Sequence, residues 1–383
     1  MSALHEHGIP TWQDVRDLSE ENTEDELRRV LNDPATASAV LWVTPEVAES
    51  QIIRGTEVPK ILQRIAQQDG FFIMPVVAGG LDFQDVAKAV DGRFTVEDLA
   101  NWNVRKIEKD PADRSVASDV ARWVLRRRIS IIHKAWEIDR PLLVSFHTRC
   151  PAPSESGYAL AVDWSEHFSG RQADRATWQD VLLPALHAVV EALRTYAPGR
   201  RIEVGGLASI SAVTALGSMF LAPKCVPVSW SQFTSGRATQ PWGLGAQDVD
   251  AGFVIRTVSR NRDASDIAVL VSVAGDVEPA FARSELPPFR AVVKVARPDS
   301  SRYDIKCPGE AVSIAYRLIE GIRKARDEYR AQGAVHLFMA VPVGLAMLVG
   351  QLLNTFGPVQ LSEHEPTDSV GLYRPSVRIN PGG

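Results

Sequence analysis

Along the first third of the chain, apolar positions recur first at every second residue and then at every third or fourth, and each switch marks a strand giving way to a helix. Residues 8–14 read as a short strand, 21–31 as a helix opened by an acidic first turn, and 37–43 as a buried apolar strand. A second helix is expected over 52–68. A further strand follows over 71–77, bounded by Gly70 and by Gly79-Gly80, and then a helix over 83–90. Such alternation favours a doubly wound parallel α/β sheet, and its signal fades after about residue 107. Over 116–136, Val120, Trp123, Val124, Ile131 and Ile132 form one helical stripe opposite Arg122, Arg126, Arg127 and Arg128, a pattern expected of a solvated helix joining two domains.

The remaining residues carry an internal repeat. A step of 133 residues takes the helix at Trp178 to Ala311, the strand at Ile202 to Val335, the turn at Ser209 to Pro342 and the strand at Val226 to Val359. Each unit also opens on an apolar strand, 142–146 and 267–273, offset by 125. Alternating patterns at 158–164 and 291–295 predict inserted hairpins in the connectors. Two related α/β units in one domain create a shared cleft.

Composition narrows what that cleft can meet. Apolar residues make up 45% and charged residues 23% of 383, the balance of a folded protein with room for two or three cores. No uninterrupted apolar run reaches the length of a membrane span, and the N terminus lacks a signal-peptide pattern, so the expected location is the cytoplasm. Cys150, Cys225 and Cys307 are too few and too scattered for a disulfide framework or a zinc knuckle. A net charge of -5 argues against direct binding of duplex DNA, whose non-specific affinity comes from Lys and Arg.

In open α/β sheets, ligands sit beyond the carboxyl ends of the strands, where helix N termini offer amides to anions. In unit one, the strand 202–204 runs into Gly205-Gly206-Leu207-Ala208-Ser209, where glycine permits close backbone approach and Ser209 or Ser211 can cap the next helix. Val341 and Pro342 hold the matching place in unit two. The first strand of unit one ends at His147-Thr148-Arg149, and Lys224 is close by in sequence. Trp230, with Phe233 and Trp242, supplies aromatic faces of the kind on which nucleobases stack. Any one of these residues also fits a core or turn role; their coincidence at strand ends singles them out.

The run His336-Leu337-Phe338-Met339-Ala340-Val341-Pro342, with Gly344-Leu345-Ala346 and Gly357-Pro358-Val359-Gln360-Leu361, resembles the closing half of SAVED domains, the sensors of bacterial anti-phage signalling (CBASS). Residues 202–217 and the strand ending Val228-Ser229-Trp230 resemble the first half, so the match covers roughly 140–383. The resemblance implies two fused CARF-like, Rossmann-type units, 140–250 and 251–383, that bind a cyclic oligonucleotide from a partner cyclase. A cyclic trinucleotide such as cyclic tri-adenylate is the expected activator, with self-association into an oligomer or filament.

The run Gly8-Ile9-Pro10-Thr11-Trp12-Gln13-Asp14-Val15-Arg16-Asp17-Leu18 resembles the second strand and following loop of TIR domains, and Ala39-Val40-Leu41-Trp42-Val43-Thr44-Pro45 their third strand and its polar end. Residues 1–112 are therefore expected as a flavodoxin-like TIR domain, 113–139 as a helical linker, and the family's first strand upstream of Met1. TIR domains of this type cleave NAD, and Glu57 holds the place of their catalytic glutamate. One carboxylate can suffice, because nicotinamide leaves as a neutral molecule and needs no general acid. Glu57 would then stabilise the positive charge that develops on the ribose. Trp12, Asp14 and Thr44 are expected to line the NAD cleft, and the reaction calls for no cofactor and no metal. An inert oligomerisation module or a nuclease are the alternatives. The nuclease reading follows from other SAVED proteins that carry nucleases, but Glu57-Val58-Pro59-Lys60 has the spacing E-x-x-K instead of the usual E-x-K, and the sequence holds no compact His-Asn-His metal site.

Overall fold

Val40, Leu41 and Val43 are followed by Thr44-Pro45, and this β-branched, apolar stretch forms strand β1, Ser38–Val43. The computed structural model describes the chain except residues 1, 12–22, 34–35, 91, 103, 109–112, 154–156, 225, 234–238, 299–302, 368 and 382–383. It divides into two units, Met1–Trp136 and Glu137–Gly383.

In the first unit, β1 pairs in parallel with β2, Phe72–Val77, which pairs in parallel with the short β3, Arg105–Lys106. Every residue of β2 is buried, as expected of a central strand covered on both faces. The helices are α1 (Ser2–Glu6), α2 (Thr23–Asn32), α3 (Val58–Ile65), α4 (Phe83–Ala89), α5 (Val96–Asn101) and α6 (Arg114–Ala135). Asp82 and Thr95 start α4 and α5 with capping boxes, each accepting from the amide of the third helical residue. The core gathers Val43, Val58, Val86, Phe94 and Leu99.

Two expectations change here. Residues 8–11 are not a strand. Gly8, at φ +76°, closes α1, the amides of Gly8 and Ile9 donate to the His5 and Leu4 carbonyls, and Pro10 has no N–H to offer a sheet. The segment 113–139 is mostly α6, which packs inside the first unit through Trp123, edge-on to Phe72 at 5.9 Å.

The second unit holds two sheets. One runs β5-β4-β6-β7-β8, from Leu160–Asp163, Leu142–His147, Ile202–Gly205, Val228–Gln232 and Gln240–Trp242. The other runs β14-β13-β12-β10-β11-β9, from Leu372–Ile379, Val359–Glu365, Val335–Ala340, Ile267–Ser272, Ala291–Ala296 and Val254–Ser259. Apart from the extra strand β9, the two orders are the same, each with four parallel strands and an antiparallel edge. The helices are α7 (Leu183–Tyr196), α8 (Ile210–Met219), α9 (Glu278–Arg283), α10 (Pro308–Tyr329) and α11 (Val343–Gln351). Mixed α/β architecture with parallel sheets is thus present in both units.

The repeat holds at residue level: β6 and β12 begin at Ile202 and Val335, and Ser209 and Pro342 are the N-caps of α8 and α11. The expected hairpins are absent. Residues 160–163 and 291–296 are strands parallel to β4 and β10. Alternation reports that one face of a strand is buried, not which neighbour it pairs with or in which direction.

The halves meet where α8 packs on α11. A Cβ on Gly217 would lie 2.3 Å from the Met347 carbonyl oxygen, and one on Gly350 would lie 2.3 Å from the Thr214 carbonyl oxygen. These two glycines are related by the same 133-residue step, so the contact has pseudo-two-fold symmetry and depends on the absence of side chains at its centre.

Candidate functional site

The loops that leave the sheets at their carboxyl edges are built alike. In unit one, the amides of Thr148 and Arg149 both donate to the Leu207 carbonyl, at 3.0 and 3.3 Å, and in unit two the amides of Val273 and Ala274 both donate to Ala340, at 3.1 and 2.7 Å. The buried Thr148 hydroxyl accepts from the Ser209 amide at 2.8 Å, joining the loop after β4 to the start of α8. Gly206 is required at φ +140°, and a Cβ there would meet the Phe146 carbonyl oxygen at 2.2 Å and His147 Nε2 at 2.9 Å. His147 is itself buried, and its Nδ1 lies 3.4 Å from Cys150 Sγ. Burial pushes its pKa down, with Asp163 pulling the other way, so the neutral imidazole is favoured.

Each of the two helix N termini receives a side chain from the other half. The Ser211 amide, on the second residue of α8, donates to Glu363 Oε1 of β13 at 2.5 Å. The Gly344 amide, the same position of α11, donates to Gln232 Oε1 of β7 at 2.9 Å. Strands β7 and β13 begin 131 residues apart, and Gln232 and Glu363 keep that spacing, so the two contacts are symmetry mates. Together they bring the strand ends of both halves to one place. They also differ: one cap is a neutral carboxamide and the other an acid, only 3% exposed. Burial raises the Glu363 pKa, against the Ser211 hydrogen bonds and the charges of Arg149 and Arg171. The Ser211 hydroxyl lies 3.0 Å from that of Ser376 and extends the cluster to β14.

The sequence-derived residues sort unevenly around these contacts. His147, Thr148, Arg149, Gly206 and Ser209 converge as expected, with Arg149 exposed and Leu207 60% exposed beside Gly206. Val341 is buried and Pro342 caps α11 by position, without a side-chain hydrogen bond. Trp230 is a correction. It is 2% exposed and pairs in register with the buried Trp242, so neither ring offers an open face, whereas Phe233 is 70% exposed. Lys224 ends a 3-10 turn, Ala222–Lys224, and its side chain lies outside the described atoms. Glu363 and Gln232 escaped sequence reasoning. Their only signal was a long polar residue recurring at the fifth place of two repeat-related strands.

In the first unit, Thr44 follows β1 and is the N-cap of the 3-10 turn Pro45–Glu49. Glu57 is the last residue of a π turn, Ile53–Glu57, which the Val58 amide closes onto the Ile53 carbonyl and which precedes the amide-less Pro59. Glu57 is half-buried there. Trp12 and Asp14 lie outside the described residues.

A family model described as "SMODS-associated and fused to various effectors sensor domain" matches residues 186–379. The chain belongs to the SAVED family. The match spans α7 through β14 and so includes both helix N termini, both side-chain caps and the Gly217–Gly350 crossing. Among solved structures, the chain is similar to the Acinetobacter baumannii Cap4 SAVED/CARF-domain containing receptor with the cyclic trinucleotide 3'3'3'-cAAA, at 12% identity and a TM-score of 0.53, over 93% of this chain and 97% of that one. The same receptor with 2'3'3'-cAAA gives 14% and 0.51, over 95% and 87%. At such identities the likeness is one of fold. No curated protein matches the chain. Among the described residues, no helix is long and apolar enough to cross a membrane.

Proposed function

We propose that the SAVED part of this chain is a receptor for a cyclic oligonucleotide, with a cyclic trinucleotide such as cyclic tri-adenylate as the first choice, made by a partner cyclase in anti-phage signalling. The observation that carries the reading is the reciprocal capping of α8 and α11, which sets two repeat-related groups of strand-end loops side by side. A ligand with internal near-symmetry fits two near-equivalent half-sites better than a linear one. The fold shared with a receptor whose structures hold cAAA supports the same choice. On this reading Arg149 meets a phosphodiester and the exposed Leu207 meets a base or sugar face.

The first unit is then the effector. Ligand-driven self-association brings copies of it together, and Glu57 stabilises the ribosyl cation as nicotinamide leaves NAD. Parallel strands β1 and β2, the polar Thr44 that follows β1 and the position of Glu57 just beyond are in keeping with a TIR-like arrangement.

Two measurements test the two parts separately. Calorimetry with 3'3'3'-cAAA should give binding that Arg149→Ala weakens about tenfold, the order of one charge-assisted contact; heat-silent titration of folded protein would remove the receptor reading for this ligand. Nicotinamide release with ligand present should fall to background in Glu57→Gln, and unchanged release would remove Glu57 from catalysis.

A further inference from the structure

A cavity of about 180 Å³ opens between the start of the unit-one helix and the edge strand of unit two. Arg175, Trp178 and Gln179 line one side, and Gln360, Ser376 and Arg378 the other. At the volume water occupies in the liquid, it would hold about six molecules. Its lining is selective in chemistry. No carboxylate contributes to it, and among the described residues neither Arg175 nor Arg378 has an acidic partner. The Gln360 amide nitrogen is already donating to the Leu361 and Val377 carbonyls, at 3.0 and 3.2 Å.

Trp178 forms part of the wall without offering its donor. Its side chain is 1% exposed, packed edge-on against Trp164 and Phe168, yet its indole Nε1 has no hydrogen-bond partner. An indole N–H can only donate, and this one is closed off from the cavity as well as from solvent. It opens a π turn, Trp178–Leu182, that the Leu183 amide closes onto the Trp178 carbonyl. Two guanidinium groups and the Ser376 hydroxyl suit an acceptor-rich, negatively charged guest. The one acid tied to this cluster, Glu363, sits behind the Ser376–Ser211 contact with its carboxyl engaged by the Ser211 amide.

We propose that this cavity is a site for a small oxyanion, an inorganic phosphate or the phosphoryl group of a nucleotide, held by Arg175 from one half of the SAVED domain and Arg378 from the other. An anion bridging both would fasten the two halves together. This does not rest on the cyclic-oligonucleotide reading, because the lining residues are separate from the loops after β4 and β6.

The test is thermal unfolding of the full chain in sodium phosphate against sodium chloride at equal ionic strength, with no cyclic nucleotide present. Phosphate should raise the melting temperature in a saturable way, as binding to the folded state alone does. Arg175→Ala and Arg378→Ala should each weaken the apparent affinity about tenfold or more, while Arg194→Ala, the same charge change elsewhere on that helix, should leave it unchanged. Trp178→Phe keeps the ring contacts and removes only a donor that the cavity does not reach, so it should leave phosphate binding unchanged. Repeating the titration with a nucleoside monophosphate tells free phosphate from a phosphoryl group, the larger shift naming the source. The proposal is overturned if wild type shows no shift specific to phosphate, or if the arginine variants keep the full shift.

Discussion

Substituting alanine for Gly217 tests whether the SAVED halves depend on direct backbone contact. The new Cβ would stand 2.3 Å from the Met347 carbonyl oxygen, 3.1 Å from its carbonyl carbon and 3.2 Å from Gly350 Cα. Carbon–carbon and carbon–oxygen contacts become comfortable only beyond about 3.4 Å, so α8 and α11 would have to part by roughly 1 Å. Overpacking of that kind costs about 1–3 kcal/mol. The gain in helix propensity on replacing glycine is at most about 1 kcal/mol, so the clash is expected to win. For a unit of this size the net loss corresponds to a fall in melting temperature of roughly 2–8 °C. Gly350→Ala should behave alike, because its Cβ would meet the Thr214 oxygen at the same 2.3 Å. The double variant should cost less than the two singles together, since helices already parted for one methyl have room for the other. Gly55→Ala is the control: its Cβ meets nothing within 4 Å, and it should be neutral or slightly stabilising. Calorimetric melting of the four variants beside wild type is sufficient. Single variants as stable as wild type, or strictly additive losses, would refute the backbone-contact account.

Glu363 and His336 give predictions of opposite sign in pH. Because burial raises the Glu363 pKa, the folded chain binds its proton more tightly than the unfolded chain, so its ionisation works against folding above the ordinary carboxylate value of 4.5. Glu363→Gln keeps an acceptor for the Ser211 amide, as Gln232 does for Gly344. It should therefore stabilise the protein near neutral pH, with the advantage shrinking as pH falls toward about 4.5 and gone below it, whereas Glu363→Ala should cost about 1–3 kcal/mol by orphaning a buried amide. Melting curves from pH 4 to 8 decide, and a Gln variant no more stable than Ala would sink the assignment. His336 Nε2 lies 2.9 Å from Asp266 Oδ2. Burial lowers the His336 pKa despite Asp266, so folded protein holds fewer protons than unfolded and stability should fall as pH drops below about 6.5. His336→Asn should flatten that part of the profile; an unchanged slope would show that the loss arises elsewhere.

Much of the second unit was legible because its signal was duplicated. Two strands and two helix caps separated by the same 133 residues fixed strand positions that a single run of apolar residues would have left ambiguous. Pairing direction was not legible: the alternation at 158–164 and 291–295 does not tell a parallel neighbour from an antiparallel one. Trp230 shows the limit for the site. Its sequence position after a strand suited a base platform, but the partner that buries it, Trp242, arrives by an antiparallel return that no local pattern announces. Glu363 was hidden for the same reason, since its role depends on an amide more than a hundred residues away in the chain. In the first unit the pattern over 8–11 was outweighed by Gly8, which closes a helix where a strand was expected, and by Pro10, which has no N–H for a sheet.

The reciprocal caps bear on how an anionic ligand would be read. Helix N termini after parallel strands are the usual place for phosphate, because unpaired amides and the helix dipole both favour it. Here the second amide of α8 is taken by Glu363 and that of α11 by Gln232, while the paired amides after β4 and β10 are spent on the Leu207 and Ala340 carbonyls. Few backbone donors are left at the strand ends, so recognition in this state falls to side chains, Arg149 first. A phosphate arriving at α8 would face a carboxylate, and at α11 only a carboxamide. The two half-sites are therefore alike in fold but unlike in charge, and a ligand with chemically identical repeats would still be held asymmetrically. Exchanging the caps, with Gln232→Glu and Glu363→Gln together, conserves total charge and moves the acid to the other half. If the caps set ligand polarity, that exchange should change affinity for 3'3'3'-cAAA and 2'3'3'-cAAA unequally; equal changes in calorimetry would show that the caps only hold the halves together.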